Sequence, residues 1–140
     1  MGRSYWFECP KCGYRAKVSG RADGGLSFFV QTILCRDCRE LYDAVTRLRV
    51  PDEWKRLGNL GSWRRATPGR ARLRMARPPS FETVLNRLPP TGVARFKWLP
   101  FGLQCPVAAI HRVRSWNDPD LCPKCGIFLE KSALPYRLWD

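Results

Sequence analysis

Apolar and polar residues alternate with a period of two through much of the first fifty positions, and that rhythm predicts strands. Tyr5-Trp6-Phe7-Glu8 reads as a short aromatic strand, and Tyr14-Arg15-Ala16-Lys17-Val18 alternates as its return. Ser19 to Gly25 holds three glycines and predicts a turn. Ser27 to Leu34 is β-branched and aromatic, a third strand that delivers Cys35. Tyr42, Ala44, Thr46, Leu48 and Val50 then fall on one side at period two, which predicts a fourth strand, with a helix as the alternative. Pro51 ends it.

Beyond Pro51 the rhythm breaks. Asp52 to Leu60 makes about two helical turns with Trp54 and Leu57 on one face, stopped by Gly58 and Gly61. Gly61 to Pro79 carries Arg64, Arg65, Arg70, Arg72, Arg74 and Arg77 without one acid, interspersed with Pro and Gly. Such a stretch buries too little apolar surface to form a core and is expected to be mobile when free. Ser80 to Leu88 predicts a short helix with Ser80 as N-cap and Phe81, Val84, Leu85 and Leu88 inward, closed by Pro89-Pro90. Arg95 to Leu99 predicts another strand. The expected organisation is therefore an N-terminal module over 1–50, a connector over 51–100 and a C-terminal module over 101–140. A small, mostly-β fold follows, with hairpin modules at both ends and a basic, partly helical middle.

Cysteine spacing changes the picture most. Cys9-Pro10-Lys11-Cys12-Gly13 and Cys35-Arg36-Asp37-Cys38 are Cys-x2-Cys clasps 22 residues apart, and Cys122-Pro123-Lys124-Cys125-Gly126 repeats the first almost letter for letter. Four thiolates suit a closed tetrahedral Zn²⁺ site, since paired clasps converge on one ion while backbone N–H groups bond the sulfurs. A strand pair and turn fill the 22-residue spacer, so Cys9, Cys12, Cys35 and Cys38 are the expected first site. Cys105 and His111, the one histidine, complete a second with Cys122 and Cys125. Two other arrangements stay open: a three-thiolate second site with an open position, and the two Cys-Pro-Lys-Cys-Gly clasps joined to each other. Arg39 stands where a glycine would make the second clasp's turn easier. The alternative of disulfides requires an oxidising compartment, and Met1 to Glu8 has no apolar signal-peptide core. The longest apolar-leaning run, Leu26 to Leu34, is far short of the ~20 residues that span a bilayer. A soluble cytoplasmic chain is the expectation.

These motifs carry resemblances. The first half resembles the treble-clef and zinc-ribbon class, and Cys9 to Tyr14 is similar to a rubredoxin first knuckle. Trp116-Asn117-Asp118-Pro119-Asp120-Leu121-Cys122-Pro123-Lys124-Cys125-Gly126 is similar to a rubredoxin second knuckle. It also resembles the small heavy-metal-binding domain attached to copper-exporting transporters, although Ala108 stands where that domain has its histidine. The resemblances imply two structural zinc ions, with iron and electron transfer, or metal trafficking, as alternatives.

Charge adds a partner. The chain of 140 residues has a formal net charge of +13. Nine cations face five acids in residues 1–50, eleven face three in 51–100, and five face four in 101–140. Seven thiolates with two dications would leave about +10. An excess this large favours an anionic partner, be it nucleic acid, an acidic protein or anionic lipid. Nucleic acid, RNA or DNA, or an acidic protein or nucleoprotein surface is the expected partner, and no membrane is expected. Arg64, Arg65, Arg70, Arg72, Arg74 and Arg77 are the candidate phosphate contacts. Trp54, Trp63 and Tyr5-Trp6-Phe7 are candidates for stacking on bases or for packing the hairpin. Gly20 to Gly25 lacks the Gly-Lys-Ser/Thr ending of a phosphate loop. No nucleophile has a base beside it in sequence, and no carboxylates sit at a suggestive spacing, so a non-enzymatic binding module is expected. A protein–protein adaptor is the alternative class.

Overall fold

The computed structural model describes residues 1–51, 78–86 and 95–140. The period-two segments form the strands they predict: β1 (Gly2–Glu8), β2 (Arg15–Val18), β4 (Phe28–Cys35) and β5 (Glu40–Pro51). Between β2 and β4, the glycine-rich turn contains a further short strand, β3 (Ala22–Gly24). A single turn over 19–25 is thus corrected, because β4 has an open edge that β3 pairs through Gly24–Phe29 and Ala22–Gln31. Ser80 caps α1 (Phe81–Asn86), its Oγ accepting the Thr83 N–H at 3.2 Å. The remaining strands are β6 (Phe96–Pro100), β7 (Val113–Ser115), β8 (Glu130–Lys131) and β9 (Arg137–Trp139). Among the described residues no helix is long and apolar enough to cross a membrane.

Two hairpins organise everything else. β1 and β2 pair antiparallel from Tyr5–Val18 to Glu8–Arg15, and β4 and β5 pair from Phe28–Leu48 to Cys35–Glu40. Each hairpin keeps one edge open, and an open edge exposes unpaired backbone N–H and C=O groups. The C-terminal chain closes both. β7 pairs with Ile33 to Cys35 of β4, beside β3. β8 and β9 run along β1, joined by bonds from Ser132 N to Trp6 O and from Tyr136 N to Ser4 O. β6 lies on β5, with Arg47–Pro100 and Pro51–Phe96 at the two ends. Segments from the expected modules 1–50 and 101–140 thus pair with each other. Both sheets are built from both ends, since β7 shares the β4 edge with β3, and β8 and β9 cover the edge of β1.

Two apolar clusters sit behind these sheets. One joins Phe7, Val18, Leu34, Leu41, Trp116 and Leu129 with Cys9 and Cys122. Trp116 is completely buried, packs edge-on against Phe7 with ring centroids 5.2 Å apart, and donates its indole N–H to Leu121 O. The other joins Phe28, Val30, Val45, Leu48 and Val50 with Val84 of α1, Phe101 and Trp139. Asp43 pins the hairpins together from inside: its carboxylate accepts bonds from Thr32 Oγ1 at 2.6 Å and from Ser19 N and Oγ.

Candidate metal centres

Each hairpin ends in a clasp. Cys9 closes β1 and Cys12 precedes β2, with Cys9 N bonded to Tyr14 O and Gly13 N to Cys9 O. Cys122 and Cys125 reproduce that turn bond for bond, Cys122 N to Ile127 O and Gly126 N to Cys122 O. Both glycines take a left-handed backbone, φ 73° at Gly13 and φ 78° at Gly126, where a side chain would be strained. Cys35 ends β4, Cys38 follows, and Arg39 adopts φ 53°, so the position flagged in the sequence is indeed left-handed. Backbone N–H groups point at the sulfurs: Cys12 N at Cys9 Sγ, Cys38 N at Cys35 Sγ, Val107 N at Cys105 Sγ and Lys124 N at Cys122 Sγ. Such bonds stabilise thiolate and orient the ligand.

The donors converge in two groups, Cys9 with Cys12, Cys122 and Cys125, and Cys35 with Cys38, Cys105 and His111. In each, all four ligand atoms lie within 4.8 Å of one another. Sulfurs of Cys9 and Cys125 are 3.3 Å apart, and those of Cys12 and Cys122 3.7 Å. In the second group Cys38 Sγ is 3.7 Å from Cys105 Sγ, while His111 Nδ1 is 3.3 Å from Cys38 Sγ and 3.7 Å from Cys35 Sγ. A tetrahedral ion holding sulfur at about 2.3 Å and nitrogen at about 2.0 Å sets neighbouring donors roughly 3.5–3.8 Å apart. The spacing matches, apart from slight compression at two contacts. All seven cysteines are free thiols. The donor sets fit two metal ions, one on four sulfurs and one on three sulfurs and an imidazole.

This grouping corrects the expected one. Cys9, Cys12, Cys35 and Cys38 do not share an ion, and neither do Cys105, His111, Cys122 and Cys125. The first two clasps cap hairpins in different sheets, so neighbourhood in sequence does not bring them together. Instead the two Cys-Pro-Lys-Cys-Gly clasps face each other, one of the two alternative arrangements, which by itself leaves Cys35 and Cys38 short of ligands. Cys105 and His111 supply what they lack. The near-identity of the two clasps was the signal: equivalent turns make an approximately symmetric pair around one centre.

Electrostatics in the groups follow from burial and crowding. Burial pushes the Cys9 thiol up, but the N–H groups of Cys12 and Lys11 and the Cys125 thiol outweigh it, leaving it at about 6. Burial likewise opposes Cys105, which the N–H groups of Ala108 and Val107 and the side chain of His111 bring down to about 7. At Cys12 the Tyr14 N–H favours thiolate, yet burial and the three neighbouring sulfurs drive the thiol to about 12. Cys38 rises to about 11 through burial and the sulfurs of Cys35 and Cys105. Four thiolates so close repel strongly unless a cation sits among them.

Positioning residues surround the ligands, and sequence reading missed them. Arg36 N donates to Arg112 O, and Arg112 N donates to Asp37 Oδ2 at 2.7 Å, which zips the second clasp to the residue after His111. The Arg112 N–H holds the Asp37 carboxyl below its ordinary range. Tyr14, next to the first clasp, donates its hydroxyl to Glu40 at 2.8 Å and accepts Leu41 N–H at 2.9 Å, just past the second. Lys124 pairs with the same Glu40 at 2.9 Å, so the two centres share a polar bridge. None of these partners is near the other in sequence, and no motif marks them.

The other candidates divide. Phe7 is core, Tyr5 is half-buried with Lys131 Nζ 3.9 Å above its ring, and Trp6 is exposed with Lys17 Nζ 4.5 Å above its ring. Trp54, Trp63 and Arg64, Arg65, Arg70, Arg72, Arg74 and Arg77 lie outside the described residues. Compared with family models, with curated proteins and with solved structures, the chain matches none.

Proposed function

We propose that the protein is a non-enzymatic, zinc-organised module that binds nucleic acid. Four-sulfur and three-sulfur–imidazole donor sets are those of closed structural zinc sites, with no open coordination position for a substrate. The ions clamp distant parts of a small chain that has limited apolar core, which is the usual role of structural zinc. What carries the nucleic-acid reading is charge and its placement. Eleven of the 25 cations lie in residues 51–100 against three acids, and described residues on either side of the arginine-rich part are tied to the five-stranded sheet, Pro51 by its pairing with Phe96 and Ser80 by a bridge to Ala44. Both described flanks of the cationic segment are thus held to the sheet whose β4–β5 hairpin carries one of the clasps. Guanidinium groups there neutralise phosphates and release counterions.

The test begins with elemental analysis of the purified chain, expected to return two zinc ions per molecule. Iron colour with reversible reduction would replace the zinc assignment by a rubredoxin-like one. Fluorescence anisotropy with labelled nucleic acid should then show affinity falling steeply between about 50 and 200 mM salt. Absent or salt-insensitive binding by the metal-loaded protein rejects the reading. Protein partners retained after nuclease and high salt would favour the adaptor class instead.

A further inference from the structure

The five-stranded sheet has two unlike faces. Phe28, Val30, Val45, Leu48 and Val50 point inward and are buried. On the other side of β4, β5 and β6, strand alternation places Phe29, Arg47, Arg49, Phe96 and Trp98 together. Their rings are not core: Phe29 is 37%, Phe96 45% and Trp98 39% exposed. They form one cluster nonetheless. Trp98 meets Phe29 edge-on at 5.2 Å and Phe96 edge-on at 6.2 Å, and the Arg49 guanidinium lies 3.7 Å above the Phe96 ring. Phe29 is held in place by Gly24 on the neighbouring strand, where an added Cβ would fall 2.3 Å from the Phe29 ring.

Among the described residues of β6 and of the Thr46–Pro51 end of β5 the charge is of one sign. Arg47 and Arg49 lie on this face, and neither β6 nor the Thr46–Pro51 end of β5 contains an acid. The ion pairs among the described residues engage neither of these two cations. Aromatic rings in T-shaped contact leave flat faces open, and residues two apart on one strand stand about 6.6 Å from each other. A ligand that suits the cluster must offer flat apolar groups at similar intervals and regular negative charge between them. Single-stranded nucleic acid has both, whereas duplex bases are stacked internally and cannot reach the rings.

We propose that the outer face of the five-stranded sheet is a stacking platform for unpaired bases, with Trp98, Phe96 and Phe29 receiving bases and Arg47 and Arg49 receiving the phosphates between them. This rests on the nucleic-acid reading above and gives that reading its substrate class. It assigns specificity for unpaired strands to the sheet.

The experiment measures anisotropy of a labelled oligouridylate of about 12 nucleotides, and of a duplex of equal length, against the zinc-loaded full chain. The wild type is expected to prefer the single strand. Trp98→Ala and Phe96→Ala should each weaken single-strand binding by roughly 5- to 150-fold with duplex binding nearly unchanged. Trp98→Tyr should keep most of the affinity, and Trp98→Leu, which keeps apolar area without a ring, should lose it. Zinc content equal to wild type verifies that each variant folds. Binding to neither nucleic acid overturns the platform and the nucleic-acid reading together. Steeply salt-dependent binding that ignores Trp98→Ala and Phe96→Ala, or that Trp98→Leu sustains, overturns the platform alone. So does a Trp98→Ala effect confined to self-association of the chain.

Discussion

Ligand grouping can be tested by counting ions in paired cysteine variants. If Cys9 and Cys122 hold the same ion, Cys9→Ser, Cys122→Ser and the double variant should each retain one zinc per chain. Cys9→Ser with Cys35→Ser, which strikes both groups, should retain none. A self-contained N-terminal site would give the reverse: one ion in the second double variant and none in the first. The energetic contrast is large. A structural zinc site contributes roughly 10–16 kcal/mol, as much as or more than the ~5–15 kcal/mol net stability of a whole domain. Removing one ligand also strands its neighbours. Two thiolates at the 3.3 Å separation of Cys9 and Cys125 repel by about 5 kcal/mol at an effective dielectric constant near 20. The remaining thiols are therefore expected to take up protons and the clasp to open. Cys9 and Cys122 belong to the apolar cluster around Trp116, so loss of the ion loosens that core too. Mass spectrometry under native conditions, with thiol counting after denaturation, reads the stoichiometry directly. One ion retained by Cys9→Ser/Cys35→Ser would refute the grouping.

Three further outcomes follow from individual residues. Arg39→Gly should raise stability by about 1 kcal/mol, because φ 53° strains a residue with a Cβ, measured as a higher denaturant midpoint with zinc held constant. Burial raises the Asp43 carboxyl to about 6, against bonds from Thr32 and Ser19 that favour its ionised form. An acid whose folded-state value lies above its unfolded one stabilises the fold at low pH and loses that contribution as pH rises through the folded value. Wild type relative to Asp43→Asn should therefore lose ~1 kcal/mol between pH about 5.5 and 7.5, and a pH-independent difference would contradict this. Trp116→Ala removes a fully buried indole and its bond to Leu121 O, and should cost roughly 3–5 kcal/mol in chemical denaturation, with a smaller loss showing that the site collapses.

Local pattern was enough for the hairpins. Alternation along Tyr5 to Glu8 and Tyr14 to Val18 reports which side chains face inward, and neighbouring segments joined by short turns pair without help from elsewhere. On β5 the strand was legible but not its single face, because a bulge opposite Phe29–Val30 switches the inward set from Asp43 and Val45 to Leu48 and Val50. The Ser80 cap and the left-handed demand at Arg39 were legible for the same reason, since both are settled within a few residues. The short strand β3 escaped notice because its glycines read as a turn until β4 supplied an edge.

By itself the sequence determined which residues can serve as metal donors, which strands precede them and that positive charge gathers between the ends. Tertiary structure alone decided which ligands meet. Three clasps and the Cys105–His111 pair can combine in several ways with equal local chemistry, and the choice depends on which segment covers the second edge of β1 and which covers that of β4. Those edges are closed by chain about a hundred residues away, β8 and β9 on one and β7 on the other. The same closure carries Cys122 and Cys125 to Cys9 and Cys12, and Cys105 and His111 to Cys35 and Cys38. Spacing measures how far apart ligands are along the chain, and here backbone hydrogen bonding between remote strands determines how far apart they are in space.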